Sequence, residues 1–171
     1  MKESPLRLRP PTVKDQGALL RMVKASRALH EPWVAPPDTP AKFRNYLAGK
    51  QLETYRGFLL TKGEEVVGVF NVNEIVRGGF QSAYLGYYGS AASSGKGYMT
   101  EGMRGLLRHL FGKEKLHRLE ANIQPGNTAS IRLVRKCGFR LEGFSPRYLK
   151  IRGRWRDHER WAVTKEEWEG K

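Results

Sequence analysis

Two stretches of the chain hold residue types whose spacing can do chemistry. The first is YLGYYGSAASSGKGYMTEGMRGLL, Tyr84 to Leu107. An aromatic and apolar run gives way to a glycine- and serine-rich loop, Gly89 to Gly97. The loop opens directly into a segment with apolar residues at Met99, Met103, Leu106, Leu107 and Leu110, one face of a helix. A helix that starts this way presents unpaired backbone N–H groups and the positive end of its dipole. Gly95 and Gly97 let the backbone approach an anion without a Cβ in the way, and Lys96 adds charge. Pyrophosphate binding is the chemistry that suits such a loop. The nucleoside-triphosphate pattern GxxxxGK[ST] does not fit, because five residues separate Gly89 from Gly95 and Gly97 follows Lys96. A dinucleotide GxGxxG is also absent from the loop. A plain glycine-rich connection between strand and helix is the alternative.

The second stretch is HRLEANIQPGNTASIRLVRKCGFRLEG, His117 to Gly143. From Arg118 to Ile123 the pattern alternates, with Leu119, Ala121 and Ile123 on one side and Arg118, Glu120 and Asn122 on the other. Glu120 therefore lies on a polar face, as a proton acceptor or as a surface ion-pair partner of Arg118 or Lys115. Pro125 and Gly126 break the strand. Asn127 is placed to cap a helix with Ile131, Val134 and Cys137 on its apolar stripe, ended by Gly138. Cys137, the single cysteine, reads as a buried structural thiol. It excludes an intramolecular disulfide framework and a cysteine zinc cluster, and His30, His109, His117 and His158 show no ligand spacing. No metal is expected.

Positioning these stretches requires a sheet flanked by helices. Leu6 to Arg9 alternates like a short strand, and Thr12 with Asp15 forms a capping signal before a helix from Lys14 to Leu29. The proline-rich Glu31 to Pro40 is a loop, and Asp38 or Thr39 caps a helix running to about Ala48. Arg56–Thr61 and Val66–Ile75 flank the turn KGEE as a hairpin, and a third strand covers Ala83–Tyr88. After the second chemical stretch, strands resume at Phe139, with Arg152-Gly153 as a turn before Trp155–Thr164. The order predicts an α+β fold, a single mixed, mostly antiparallel sheet with helices on both faces and a central βαβ unit. Residues 1–171 are expected to form one domain.

Composition sets further bounds. The chain has 31 Lys and Arg against 17 Asp and Glu, a formal net charge of +14. That excess suits an acidic partner such as a polyphosphate cofactor, RNA or an acidic protein. Between Arg132 and Arg160 lie ten basic and three acidic residues, which form either a solvated basic face or a contact for such a partner. No apolar segment follows the amino terminus, and the longest uncharged run, Gly78 to Gly95, is broken by five glycines. A secretory signal and a membrane span are not expected, and a cytoplasmic location is.

The ordered set LRLRPPTVKD, HEPW, LGYYG, GKGYMTEG, RLEANIQPGNTASIRLVRKCGFRLEG and GRWRDHERWAV covers nearly the whole chain. It resembles the GNAT acetyltransferases, and within them the RimJ/RimL type that acetylates N-termini of ribosomal proteins. The resemblance implies acetyl-CoA as cosubstrate and no metal. It assigns the cofactor to Tyr88, Gly89, Ser94, Gly95, Lys96, Gly97, Tyr98, Met99, Asn127, Ser130 and Lys136, with Arg135 as an alternative to Lys136 for the CoA 3′-phosphate. A backbone N–H near Tyr88 is the expected donor to the thioester carbonyl. Ala92 stands where the family prefers Gln or Arg, and Val134 where some relatives carry an acidic Tyr. Tyr98 or Tyr148 is a substitute for that Tyr.

The family's Asn-x-x-Ser pattern falls on Asn127 and Ser130, which makes Ser130 the donor to the departing sulfur. Glu120 falls where related N-terminal acetyltransferases carry a base. Trp33 and Glu120 are expected on the acceptor side, with Tyr87-Tyr88 as groove or core residues. The implied reaction is direct attack by a primary amine, most simply a protein α-amine from a ribosomal protein. Ribosome or RNA contact through the basic face and a monomeric or homodimeric state accompany it. The alternatives are a small-amine enzyme for polyamines or aminoglycosides, and a non-catalytic acetyl-CoA sensor or RNA-binding module on the same fold.

Overall fold

The alternating segments assemble into one sheet in the computed structural model, which describes residues 4–50 and 52–168; the ends of the expected 1–171 domain lie outside them. The strands are β1 (Leu6–Arg9), β2 (Arg56–Lys62), β3 (Glu65–Val76), β4 (Ser82–Gly89), β5 (Arg118–Ile123), β6 (Arg140–Ile151) and β7 (Arg154–Thr164). Their order across the sheet is β1-β2-β3-β4-β5-β7-β6. Neighbours pair antiparallel except β4 and β5, which are parallel. A parallel pair needs a long crossover, and helix α4 (Tyr98–Gly112) lies within it. The mixed, mostly antiparallel sheet with a central βαβ unit is as expected.

Each face of the sheet is covered by its own helices. Helices α1 (Gln16–Ala25), α2 (Arg27–His30) and α3 (Pro40–Gly49) precede β2, and α5 (Thr128–Lys136) follows β5. One core joins Leu19, Met22, Val23 and Phe43 to Leu59 and Val69 of the sheet. The other joins Met103, Leu106, Leu107 and Leu110 of α4 to Phe70, Leu119 and Val163. Strand alternation sorts the residues: Leu119, Ala121 and Ile123 are buried while Arg118, Glu120 and Asn122 stay partly accessible.

Two local features differ from the sequence reading. The single helix expected over Lys14–Leu29 is broken at Ser26 into α1 and α2. Ser26 is buried, and its Oγ accepts the N–H of Ala91 at 2.9 Å, so the break ties this helical arm to the loop after β4. A short helix α6 (Lys165–Trp168) follows β7 and was not foreseen.

The Thr12–Asp15 capping signal is realised. The Asp15 carboxylate accepts from the Thr12 N–H (2.7 Å) and hydroxyl (2.9 Å) and from both terminal nitrogens of Arg9 (2.6 and 2.9 Å). Chiefly through Arg9, these bonds hold the carboxyl down to about 2, against an ordinary 3.8. The stability this adds is complete above the ordinary carboxylate range and is lost as pH falls from about 4 to about 2. Asp15→Asn should therefore flatten the stability profile across that window in chemical denaturation; an unchanged profile would remove the carboxylate from the acid-sensitive contacts.

Helix α4 sits close to the sheet because Gly102 lets it. A Cβ there would lie 2.7 Å from Leu60 Cδ2 and 2.9 Å from Phe70 Cε2, whereas at Gly105 it would meet nothing within 4 Å. The same substitution should then have opposite signs one turn apart. Gly105→Ala should gain about 0.5–1 kcal/mol of helix propensity. At Gly102 that gain is outweighed by overpacking of about 1–3 kcal/mol. Thermal unfolding of the two variants checks this: a Gly102→Ala protein as stable as Gly105→Ala would contradict the close approach of α4.

Candidate functional site

The site begins where two strands part. β4 and β5 are paired only over Ser82–Tyr84 with Arg118–Glu120. β4 continues to Gly89 and β5 to Ile123, so beyond Tyr84 the edge of β4 facing β5 has no strand partner. The parity of the β3–β4 ladder shows which backbone groups face the gap. Ser90 N–H bonds Val67 O at 2.9 Å, and Tyr88 stands opposite Val69 and Gly89 opposite Gly68 without a register shift. Bonded and non-bonded positions alternate in an antiparallel pair. Tyr88 therefore turns its own N–H toward β3, and Tyr87 and Gly89 turn theirs to the gap. The expected carbonyl donor near Tyr88 shifts to these two neighbours. The Gly89 carbonyl is already used, accepting from Nε2 of His30 at 2.8 Å.

The loop after β4 forms the expected anion cradle, though the glycines serve a different purpose from the one anticipated. Gly95 and Gly97 have φ of +77° and +79°, and a Cβ at either would meet nothing within 4 Å. Left-handed backbone, not crowding, requires glycine here. Gly97 is the N-cap of α4. Thr100 and Glu101 N–H groups bond Gly97 O, and Lys96 N–H bonds Ser93 O. That leaves the N–H groups of Gly97, Tyr98 and Met99 without a backbone acceptor among the described residues, at the positive end of a 15-residue helix. Met99 fixes the height of this end: a Cβ at Gly68 would lie 2.3 Å from its Sδ, and one at Gly89 3.1 Å from its Cγ. The Lys96 side chain is exposed and outside the cleft wall. Tyr98 is tied to β2, its hydroxyl accepting from Lys62 Nζ at 2.6 Å with that ammonium 4.8 Å from its ring centre.

Cradle and gap belong to one cleft of about 1040 Å³. On the α5 side, Asn127 caps the helix, its Oδ1 accepting from Ser130 N at 3.2 Å. Ser130 Oγ donates to the hydroxyl of Tyr87 at 2.9 Å. Tyr87 is the partner that sequence reasoning missed: burial pushes its phenol far above the ordinary range, so it stays neutral and holds Ser130 in place. Lys136 lines the cleft and so does Arg132, but Arg135 stacks on Trp161, 5.1 Å from the ring centre. Of the two residues considered for the CoA 3′-phosphate, Lys136 is the one in the wall. The ring of Tyr88 packs into the core under α1 and α3, with its hydroxyl unpartnered.

The opposite wall includes Trp33, Tyr84, Asn122, Tyr148 and His158. Trp33 reaches across to the loop before α5, where a Cβ on Gly126 would lie 3.2 Å from its ring. Glu120 is not in the wall. Its carboxylate accepts from Arg118 Nε at 2.8 Å, and Arg118 also binds Glu142, so Glu120 sits in an ion-pair chain. The structure thus does not bring Glu120 together with Ser130.

Two other groups come forward on the wall, and neither stood out in the sequence. Asn122 Oδ1 is buried with no partner. His158 is 3% exposed, and burial pushes its pKa below 6.5, so it is neutral near pH 7. His158 Nδ1 lies 2.9 Å from the Arg156 carbonyl and must be the N–H, which leaves the lone pair on Nε2. Among the described residues no group of three or more His, Cys, Asp or Glu is arranged to hold a metal ion. Leu29 is 41% exposed and lines the cleft.

The residues fit an acetyl-CoA molecule. Free amides and a helix dipole suit its pyrophosphate, an unpaired strand edge suits its amide-bearing arm, and Arg132 and Lys136 suit a further phosphate. A family model for the acetyltransferase (GNAT) domain matches residues 5–140. The chain is 37% identical over 114 residues to the Probable N-acetyltransferase YjcK of Bacillus subtilis, covering 67% of this chain and 63% of that protein. It is 38% identical over 114 residues to the [Ribosomal protein uS5]-alanine N-acetyltransferase of Escherichia coli, covering 67% and 59%. The match thus spans about three-fifths of the length of these curated relatives. Among solved structures, Mycobacterium smegmatis RimJ in complex with CoA-disulfide superposes with a TM-score of 0.90 at 30% identity, covering 99% of this chain and 90% of that one. Parted strands, cradle and matched family model agree: the chain belongs to the GNAT acetyltransferase family.

Proposed function

We propose that the protein is an acetyl-CoA-dependent N-acetyltransferase that acts on the α-amine of a polypeptide. The observation that carries this reading is the single cleft running from the anion cradle at Gly97–Met99, past the gap-facing strand edge at Tyr87 and Gly89, to a wall holding a neutral histidine and an unpartnered amide oxygen. The name of the Escherichia coli relative supports a ribosomal protein as the acceptor.

Acetyl-CoA supplies an activated acyl group on a thiol leaving group. The chain's part is to hold, orient and move protons. Free N–H groups at Gly97, Tyr98 and Met99 bind the pyrophosphate, and Lys136 with Arg132 neutralises the outer phosphate. A gap-facing N–H at Tyr87 or Gly89 polarises the thioester carbonyl where negative charge develops. Ser130 has one O–H, so for it to donate toward the sulfur the neutral Tyr87 phenol turns its own O–H onto Ser130 Oγ and becomes the donor of that pair.

On the acceptor wall, Asn122 Oδ1 accepts a hydrogen bond from the amine and His158 Nε2 takes its proton. Glu120 acts as a positioning residue through Arg118, or reaches the amine through water. An α-amine ionises near pH 7.7–8.0, so a weak base suffices, and the largest contribution is holding amine and carbonyl together away from water.

The primary test is thiol release from acetyl-CoA with a panel of N-terminal peptides, polyamines and aminoglycosides. Turnover of peptides supports the reading, turnover of polyamines alone moves the acceptor class, and binding without any release makes the protein a sensor. Gly97→Asp puts a side chain at φ +79° and a carboxylate beside the pyrophosphate. It should weaken acetyl-CoA binding at least tenfold, about 1.4 kcal/mol, by calorimetry, and unchanged binding in a folded variant would overturn the cradle. His158→Gln and Ser130→Ala should each lower kcat roughly 10²-fold with acetyl-CoA affinity retained. Raising the pH above the α-amine's range should rescue only His158→Gln, because solvent then deprotonates the amine. Glu120→Gln should lose less than His158→Gln; the reverse order in the pH–rate profile would return the base to Glu120.

A further inference from the structure

A second cavity, of about 550 Å³, adjoins the cleft, and His30 lines both. Its walls carry Arg21 and Lys24 of α1, Arg27 of α2 and Arg152 at the tip of the β6–β7 hairpin, against a single acid, Asp38. That acid is already engaged, its Oδ1 2.7 Å from Lys42 Nζ. The side chains of Arg21, Lys24 and Arg27 make no hydrogen bond or close ion pair with any described residue and are all exposed. Arg21 and Lys24 lie three residues apart on α1 and Arg27 just past the break at Ser26, and all three line the cavity, a mutually unfavourable crowding of like charges. Arg152 closes the other side, its guanidinium 3.4 Å from the Val34 carbonyl, on a backbone held at φ +48°. Four cations facing a concavity against one carboxylate, itself paired with Lys42, leave an excess of positive charge that forms a seat for an anion.

Its place decides which anion. The cavity shares none of its lining with the Gly97–Met99 cradle; it meets the cleft at His30, and Val34, whose carbonyl accepts from Arg152, lines the cleft together with Tyr148 and Ile151 of the Arg152 hairpin. A chain whose amine reaches Asn122 and His158 leaves the cleft along this route, and an extended peptide advances about 3.3 Å per residue. We propose that the cavity is a specificity subsite for acidic side chains of the acceptor polypeptide, a few residues beyond its reacting amine. The inference rests on the N-terminal acetyltransferase reading above and narrows it: the acceptor is a peptide with an acidic segment, and a polycationic amine meets repulsion at this end. A peptide is favoured over an RNA because the concavity is contiguous with the amine-binding wall and no exposed aromatic ring, which a base would stack on, lines it.

The test uses the full chain and peptides with one common N-terminal residue. A Glu, Gln or Lys is walked one position at a time away from the amine, and KM and kcat are read from thiol release. The expected result is a KM about tenfold lower for Glu than for Gln at one or two adjacent positions, a higher KM for Lys there, and a preference that fades with added salt. Arg21→Gln/Lys24→Gln/Arg27→Gln should erase the Glu–Gln difference, and Arg21→Glu/Lys24→Glu should invert the preference toward Lys. A merely structural role for these exposed residues would not produce that inversion. Equal KM for all three peptides, or a Glu preference that persists in both variants, overturns the subsite while leaving the N-terminal acetyltransferase reading intact. Release with polyamines and with no peptide overturns both. Loss of binding to a single-stranded RNA in the triple variant, with peptide KM unchanged, assigns the cavity to nucleic acid and overturns the proposal.

Discussion

Backbone N–H and C=O groups taken out of water need partners, and at the centre of this sheet the chain withholds them. Three residues of β4 pair with three of β5, and then the strands diverge. A strand edge left beside a cleft forgoes the hydrogen bonds of a ladder, and the gap persists because the surrounding sheet fixes both strands. β4 is held by its long antiparallel ladder with β3, and β5 by its ladder with β7. The fold spends most of its secondary structure on keeping two strands apart, and the exposed edge becomes the template on which an amide-bearing cofactor arm can complete the sheet.

The rest of the site is arranged around that edge. Met99 lies over the Gly68–Gly89 pair, which sets the first turn of α4 at the height of the strand end. Ser26 and His30 bind the residues immediately after and at the end of β4, Ala91 N–H and Gly89 O. The broken helical arm is thereby anchored to the same strand terminus as the phosphate cradle. These two bonds tether the arm that carries the basic cavity to the end of β4.

Much of the fold was legible because its signals are local. Alternation in Arg118–Ile123, the apolar stripe of α4, and the Thr12–Asp15 and Asn127–Gly138 capping signals each act within a few residues and mean the same thing in sequence and in structure. Gly97, Asn127, Ser130 and Lys136, singled out by the ordered motifs, all line one cleft. What was not legible depends on pairs distant in sequence. Tyr87 becomes the partner of Ser130 only when β4 meets α5. His158 gains its tautomer from a carbonyl within β7 and its significance from facing Asn122's strand. Glu120 shows the converse: alternation put it on the polar face, but not the prior claim of Arg118 on its carboxylate. Backbone parity across the β3–β4 ladder, which moves the carbonyl donor off Tyr88, has no sequence signature.

The buried thiol of Cys137 bears on the chemical durability of this architecture. It lies at the end of α5, its sulfur 3.8 Å from the Thr100 carbonyl in the first turn of α4, and burial pushes its pKa up to about 11. At neutral pH only about one molecule in 10⁴ is ionised there, against a few per cent for an ordinary cysteine. Mixed-disulfide formation requires the thiolate and physical access, and this sulfur offers little of either. The acetyl transfer proposed above would release a free thiol, and that thiol, once oxidised to a disulfide, exchanges with any accessible cysteine thiolate. By sinking its one sulfhydryl between the two helices that frame the cleft, the chain makes itself a poor trap for such a disulfide.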